Sequence, residues 1–248
     1  MKITVDLNCD MGETPGNRPG SSDELLLPYV TSANIACGFH AGDASRMHMT
    51  VHAALHHNVA IGAHPGLPDL QGFGRKERPI SPNEVYQLTL YQIGALHGFV
   101  YAAGGKLHHV KPHGALYNMA ARDKQLAAAI VAAMYDFDAE LVLYALAGSQ
   151  MVQAAYDRGI AVATEGFIDR TYQADGTLTP RTHPQALLTD VQQMIVQSLN
   201  LSEKVDTLCI HSDGIHAVEV ARSVHRSLTQ AEIQVNTPFS SGSNEGNI

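Results

Sequence analysis

The sequence predicts an α/β fold in which seven parallel strands, each followed by a helix, close into a (β/α) barrel. Three observations point there. Short apolar, β-rich runs alternate with longer helical patterns along all 248 residues, the pattern of a parallel sheet with helices packed outside it. Charged and imidazole side chains recur at the C-terminal ends of most of these runs, where such barrels assemble their sites. No Pro/Ser-rich linker divides the chain, so 1–248 reads as a single domain with a loose tail near 240–248. An open doubly wound sheet is the alternative.

Strands are expected near 3–8, 30–36, 59–63, 107–112, 141–146, 160–165 and 205–210, and helices near 45–57, 82–104, 123–135, 149–158, 184–199 and 215–229. The best-marked helix is the second. Ser81-Pro82-Asn83-Glu84 offers an N-cap, a proline at the first helical position and a glutamate to close a capping box. Val85, Leu88, Gln92, Leu96 and Phe99 then recur at helical spacing to give a largely apolar stripe.

The polar residues fall by strand. Strand 1 ends Asp6-Leu7-Asn8-Cys9-Asp10-Met11-Gly12-Glu13, in which Asp6, Asn8 and Asp10 alternate onto one face. Strand 2 runs into Asn34-Ile35-Ala36-Cys37-Gly38-Phe39-His40-Ala41-Gly42-Asp43. Strand 3 ends at His64-Pro65-Gly66, followed by Asp69 and by Gly72-Phe73-Gly74-Arg75. Strand 4 ends Lys111-Pro112-His113-Gly114, with Tyr117 and Asn118 close behind. Strand 6 leads into Glu165, Asp169, Arg170, Tyr172, Asp175 and Arg181, and strand 7 into His211-Ser212-Asp213. Charged groups at the ends of apolar strands are costly unless pairing or function retains them. Some have simpler roles: Asp43 suits a helix cap and Asp175-Gly176 a turn. The histidines on helical segments, His48, His52, His56, His57, His97, His216 and His225, read as surface or packing residues.

Composition narrows the class. With 45% hydrophobic and 16% charged residues the chain is globular rather than disordered. A formal charge of −8 argues against a nucleic-acid partner, and no apolar run approaches the ~20 residues of a membrane span. The N-terminus enters a strand without a leader-like run, so the cytoplasm is expected. Cys9, Cys37 and Cys209 lie in apolar runs and read as buried reduced thiols. No P-loop, zinc-protease helix, nucleophile elbow or dinucleotide fingerprint is present. A divalent metal is a possible cofactor, with Asp10, His40 and His64 as its ligands.

The strand-1, strand-2, strand-3 and strand-4 motifs, extended by Glu165-Gly166-Phe167-Ile168-Asp169-Arg170-Thr171-Tyr172 and by Asp175 through Arg181, resemble the LamB/YcsF family, which supplies the first of three components of bacterial 5-oxoprolinase. The resemblance runs from residue 3 to about 228. It implies a seven-stranded barrel of the glycoside hydrolase/deacetylase superfamily and ATP-dependent opening of 5-oxoproline to glutamate. It also implies partner subunits B and C, with ATP on this chain or on a partner; a homo-oligomer is a further expectation. Lys76 stands where the family usually has a second arginine, and Ser212 where it has glycine; the stretch Thr14–Ser22 also departs from the pattern.

On that reading Asp10, His40, His64, Lys111, His113 and Glu165 are the expected catalytic groups. Asp6, Asn8, Asn34, Arg75, Asn118, Asp169, Arg170, Arg181, His211 and Asp213 are the expected substrate-binding groups. Lys111, Arg75, Arg170 and Arg181 suit phosphate and carboxylate, and Asp169 and Asp213 suit the second place in His–Asp pairs. Lys111→Ala and His113→Ala are expected to fold normally and lose activity. The competing activity is a stand-alone metal-dependent deacetylase or amidase.

Overall fold

The computed structural model describes residues 3–13, 22–212 and 216–239; Asp213, the stretch 14–21 and the tail from 240 onward lie outside them. Seven strands form where the apolar runs were expected: β1 (Thr4–Met11), β2 (Ser32–Ala36), β3 (Ala60–His64), β4 (Leu107–Val110), β5 (Val142–Leu146), β6 (Val162–Phe167) and β7 (Thr207–Ile210). Neighbours pair in parallel in sequence order, and β1 closes the barrel by pairing with β7 through Asp6–Cys9 and with β2 through Asn8–Met11. The predicted barrel is therefore the observed one. An eighth strand, β8 (Gln234–Val235), adds in parallel beside Thr4 and Val5. Two residues are too few to show a period in the sequence.

The outer layer holds α1 (Ser22–Leu26), α2 (Ala44–His56), α3 (Pro82–Ala102), α4 (Gly114–Arg122), α5 (Lys124–Phe137), α6 (Gln150–Arg158), α7 (Val191–Leu201) and α8 (Ala217–Gln230). In α3 the expected capping box is complete: Ser81 Oγ accepts from the Glu84 amide and the Glu84 carboxylate accepts from the Ser81 amide. Its one polar stripe residue, Gln92, is buried because it clamps Gly66 behind β3, donating to the Gly66 carbonyl at 3.0 Å and accepting from its amide at 2.9 Å. Two expectations change. The helix expected over 184–199 begins only at Val191, because Asp190 caps it and the preceding residues pass through a turn and a bridge to Arg170, with Leu188 donating to the Asp169 carbonyl. Helix α4 was not expected, since Gly114 follows a Pro-His pair and reads as loop. It ends where Asp123 caps α5 through the amides of Gln125 and Leu126.

Alternation along β1 divides the molecule in two. Val5, Leu7, Cys9 and Met11 face outward into the main hydrophobic core against the helices, each such burial contributing roughly 1.5–3 kcal/mol. Asp6, Asn8 and Asp10 face inward and are also buried. Barrel interiors are usually filled by layers of aliphatic side chains; this one is filled largely by hydrogen-bonded polar groups. At the bottom, Asp6 accepts from Thr31 (2.5 Å), Ser32 (2.8 Å) and Thr207 (2.5 Å). Above it, Asn8 donates to Thr207 and Glu165, Asn34 donates to Asn8 and Asp10, and His109 donates to Asn34 at 2.8 Å. Such a network holds one arrangement firmly because every unmade bond is costly at low dielectric.

Burial pushes the Asp6 carboxyl up to about 6 despite its hydroxyl donors. The folded state thus holds this proton more tightly than the unfolded chain does. Its contribution is fully favourable below the unfolded value near 4 and is lost as pH rises through 6. Relative to Asp6→Asn, which cannot ionise, the wild-type chain should lose about 3 kcal/mol of stability between pH 4 and pH 7.5. Denaturant unfolding of both proteins at the two pH values measures this, and an unchanged difference would remove the claim.

Candidate functional site

The polar column ends at a floor centred on Lys111. Its ammonium is 2.8 Å from Glu165 Oε1, 3.0 Å from Asn8 Oδ1, 3.2 Å from Asp10 Oδ1 and 3.0 Å from Cys209 Sγ. Glu165 is saturated in turn by Asn8 Nδ2 and by the Tyr117 hydroxyl at 2.7 Å. Burial opposes the charge on Lys111, but Asp10 and the neighbouring acceptors outweigh it and hold the ammonium well above its usual range. Burial likewise opposes ionisation of Asp10, and His64 with Lys111 holds that carboxyl well below its usual range. Lys111 and Asp10 are therefore a buried, mutually dependent ion pair, with Glu165 underneath.

Over this floor opens a pocket of about 260 Å³, whose walls include Asp10, His64, Lys111, His113, Phe167 and His211. Its rim carries Arg75, Arg170 and Arg181 together with Asn118. Arg170 is buried and anchored by donation to the carbonyls of Thr179 (2.6 Å) and Ala186 (3.3 Å). Burial, with Arg181 nearby, brings its guanidinium down to about 10. Across the pocket, His211 Nδ1 lies 2.7 Å from Asp169 Oδ2 and donates to it, while its ring stacks on Phe167 at 5.6 Å. That pairing turns the other imidazole nitrogen into an acceptor. Burial works against the charge on Asp169, yet His211 holds its carboxyl below the usual value.

A second cluster begins at the pocket wall with His64 and His113 and continues behind it. His64, His113, His40 and Glu13 bring one ligand atom each within 4.8 Å of the others. His40 lies flat on His113, with ring centroids 3.7 Å apart, and its Nε2 is 3.0 Å from Glu13 Oε1. The backbone at Gly12 has φ of +73°, a turn that glycine makes without strain and that swings Glu13 in toward the histidines.

A family model described as the LamB/YcsF family matches residues 5–243. The chain belongs to the LamB/YcsF family. A relative from Tolumonas auensis, named as the A subunit of 5-oxoprolinase, is 54% identical over 245 residues, covering 93% of this chain and 98% of the relative. The crystal structure of a lactam utilization protein from Thermus thermophilus is similar with a TM-score of 0.87 at 44% identity, covering 94% of this chain and 99% of that one. A family 4 carbohydrate esterase from Streptomyces lividans shares the fold alone, with a TM-score of 0.51 at 9% identity, covering 94% of this chain and 92% of that one.

Within this LamB/YcsF barrel the candidate residues separate by depth. Asp10, His64, Lys111, His113, Arg75, Asn118, Arg170, Arg181 and His211 line the pocket, and Asp169 orients His211. Asn8, Asn34 and Glu165 lie fully buried beneath it, and Asp6 lies at the bottom of the column. His40 sits behind His113. Lys76 is exposed, whereas Arg75 beside it stacks over Phe73 at 4.7 Å and reaches the pocket. Asp43 caps α2 through the Arg46 amide, and Asp175 closes a turn through Thr177. All three cysteines are buried and free. Glu13 and His109 were not among the sequence candidates. Strand alternation could have found His109, which shares a face with Lys111; Glu13 carried only its place after Gly12.

Proposed function

We propose that this chain is the A component of an ATP-dependent 5-oxoprolinase, opening the lactam ring of 5-oxoproline to glutamate together with subunits B and C. What carries the reading is one small pocket that joins an arginine rim to an imidazole oriented by Asp169, in a chain whose relatives bear the 5-oxoprolinase name. A cavity of about 260 Å³ suits a five-membered ring with one carboxylate. Lactam amides are resonance-stabilised and resist water. ATP, bound here or on a partner, supplies a phosphoryl group for the lactam oxygen, which makes the ring carbon a better electrophile. Arg75, Arg170 and Arg181 supply guanidinium donors for carboxylate and phosphoryl oxygens. Lys111 adds fixed positive charge below the reacting atoms, where preorganised electrostatics act most strongly. His211 takes a proton from the attacking water and returns it to the ring nitrogen as the C–N bond breaks; the acyl phosphate this leaves is hydrolysed by a second water, so that one ATP and two waters yield glutamate, ADP and inorganic phosphate.

In enzyme reconstituted with subunits B and C, Asp169→Asn should lower kcat for glutamate formation by roughly 100-fold with KM little changed, because the wrong tautomer of His211 then faces the pocket. Arg181→Ala should mainly raise KM. Wild-type kinetics for both variants would show that this pocket is not where the lactam opens.

A further inference from the structure

Two histidines of the cluster behind the pocket have their tautomers set by backbone carbonyls. His64 Nδ1 lies 2.6 Å from the Lys111 carbonyl oxygen, and His113 Nε2 lies 2.9 Å from the Phe73 carbonyl oxygen. A carbonyl oxygen only accepts, so each of those nitrogens carries its hydrogen. With both rings neutral, the remaining nitrogens, His64 Nε2 and His113 Nδ1, face one another as lone pairs across 2.9 Å. Two lone pairs at that distance repel unless something positive lies between them.

A proton satisfies one such pair; a cation satisfies more. Glu13 Oε1 lies 3.0 Å from His40 Nε2, 3.3 Å from His113 Nδ1 and 3.8 Å from His64 Nε2. Donors about 2.0–2.1 Å from a tetrahedral zinc ion are separated from each other by roughly 3.3 Å. The observed spacings bracket that value. Imidazole hydrogen bonding to backbone carbonyls is also the usual way a protein orients metal-ligating histidines. His40 is held as tightly by contact: a Cβ on Gly66 would come within 2.5 Å of His40 Nδ1. That Nδ1 is buried and has no hydrogen-bond partner among the described residues.

We propose that Glu13, His40, His64 and His113 form a binding site for one zinc-class divalent cation at the inner wall of the pocket. Three imidazoles and one carboxylate select borderline metals such as Zn²⁺ or Co²⁺ over Mg²⁺ or Ca²⁺. Each ligand comes from the end of a different strand among β1 to β4, so closing the barrel assembles the site. Of the trio expected from sequence, His40 and His64 belong to this set. Asp10 borders the set: its Oδ1 accepts from Asn34 and Lys111, and its Oδ2 stands 3.4 Å from His64 Nε2, while its own metal-capable neighbours are Cys209 and His211. When bound, such an ion supplies Lewis acidity beside the pocket.

The test needs no substrate, so it can fail while the lactam reading stands, and the reverse. Chelator-stripped full-length protein is titrated with Zn²⁺ by calorimetry and with Co²⁺ by visible absorption, with Mg²⁺ as the control. The site predicts one Zn²⁺ per chain, the intense visible bands of tetrahedral Co²⁺, and no Mg²⁺ binding at matched concentration. His113→Ala and the near-isosteric Glu13→Gln should each weaken Zn²⁺ binding by at least about 10-fold, within the range for disturbed metal sites. The histidines His48, His52 and His56 on α2 are the alternative source of Zn²⁺ binding, so a His48→Ala/His52→Ala protein should bind as wild type does. The proposal is overturned if folded protein binds no stoichiometric Zn²⁺. It is overturned equally if binding survives Glu13→Gln and His113→Ala unweakened, or disappears with the α2 pair.

Discussion

Lys111→Ala should lower the unfolding free energy by about 3–5 kcal/mol, the usual cost of removing one partner from a buried ion pair, and should reduce turnover at least about 1000-fold. The reason is local. Lys111 is the shared counter-ion of Asp10 and Glu165, at 3.2 Å and 2.8 Å; Glu165 is sealed from water and Asp10 meets it only at the pocket wall. The family resemblance implies a lysine that grips phosphate or carboxylate and can be removed with the fold intact. In the structure the ammonium is already surrounded by four acceptors, which is why a loss of stability is expected here as well. Adding Glu165→Gln to Lys111→Ala should return part of the stability, by deleting one of the two stranded charges, and none of the activity. A wild-type unfolding midpoint for Lys111→Ala, measured by denaturant titration, would mean that the floor of the pocket is not charged as described.

Gly62→Ala should cost at least about 3 kcal/mol, at the upper end for overpacking a closed core, and should yield little folded protein. A Cβ there would fall 2.1 Å from two atoms of the His109 ring. That ring cannot retreat. It stacks on Tyr144 at 4.0 Å, donates to Asn34 and touches His108 through its other nitrogen at 3.2 Å. The contrast is Gly94, in the middle of α3, where an added Cβ would meet nothing within 4 Å. Gly94→Ala should therefore stabilise by up to about 1 kcal/mol through helix propensity alone. Paired melting curves separate the two cases, and equal shifts would contradict the packed polar interior.

Much of this architecture was legible in advance because it rests on local signals. Ser81 to Glu84 states its capping box in four adjacent letters, and the alternation of Asp6, Asn8 and Asp10 assigns an inward face before any partner is known. Pocket membership was legible as a set, since parallel strands bring their C-terminal ends together whatever their order. Depth was not legible. Nothing local distinguishes Glu165, sealed under Lys111, from His211, which opens onto the pocket; the difference lies in how far each strand runs before it turns. The Glu13 cluster was hidden for a related reason, because His40, His64 and His113 come from separate strands and meet only when the barrel closes. Helix α4 was missed because Gly114 after Pro112-His113 reads as loop and no side chain caps its start, and the late start of α7 because capping by Asp190 overrode the apparent periodicity.

The proposed function places lactam opening at the pocket above Lys111, in company with partner subunits and with ATP. The most direct measurement is glutamate formed from 5-oxoproline by the purified chain, alone and combined with subunits B and C, with and without ATP. Glutamate should form only when the chain, both partners and ATP are all present, and should be lost on His211→Ala. Glutamate formed by the chain alone without ATP, or formed at full rate by the partners without this chain, would contradict it.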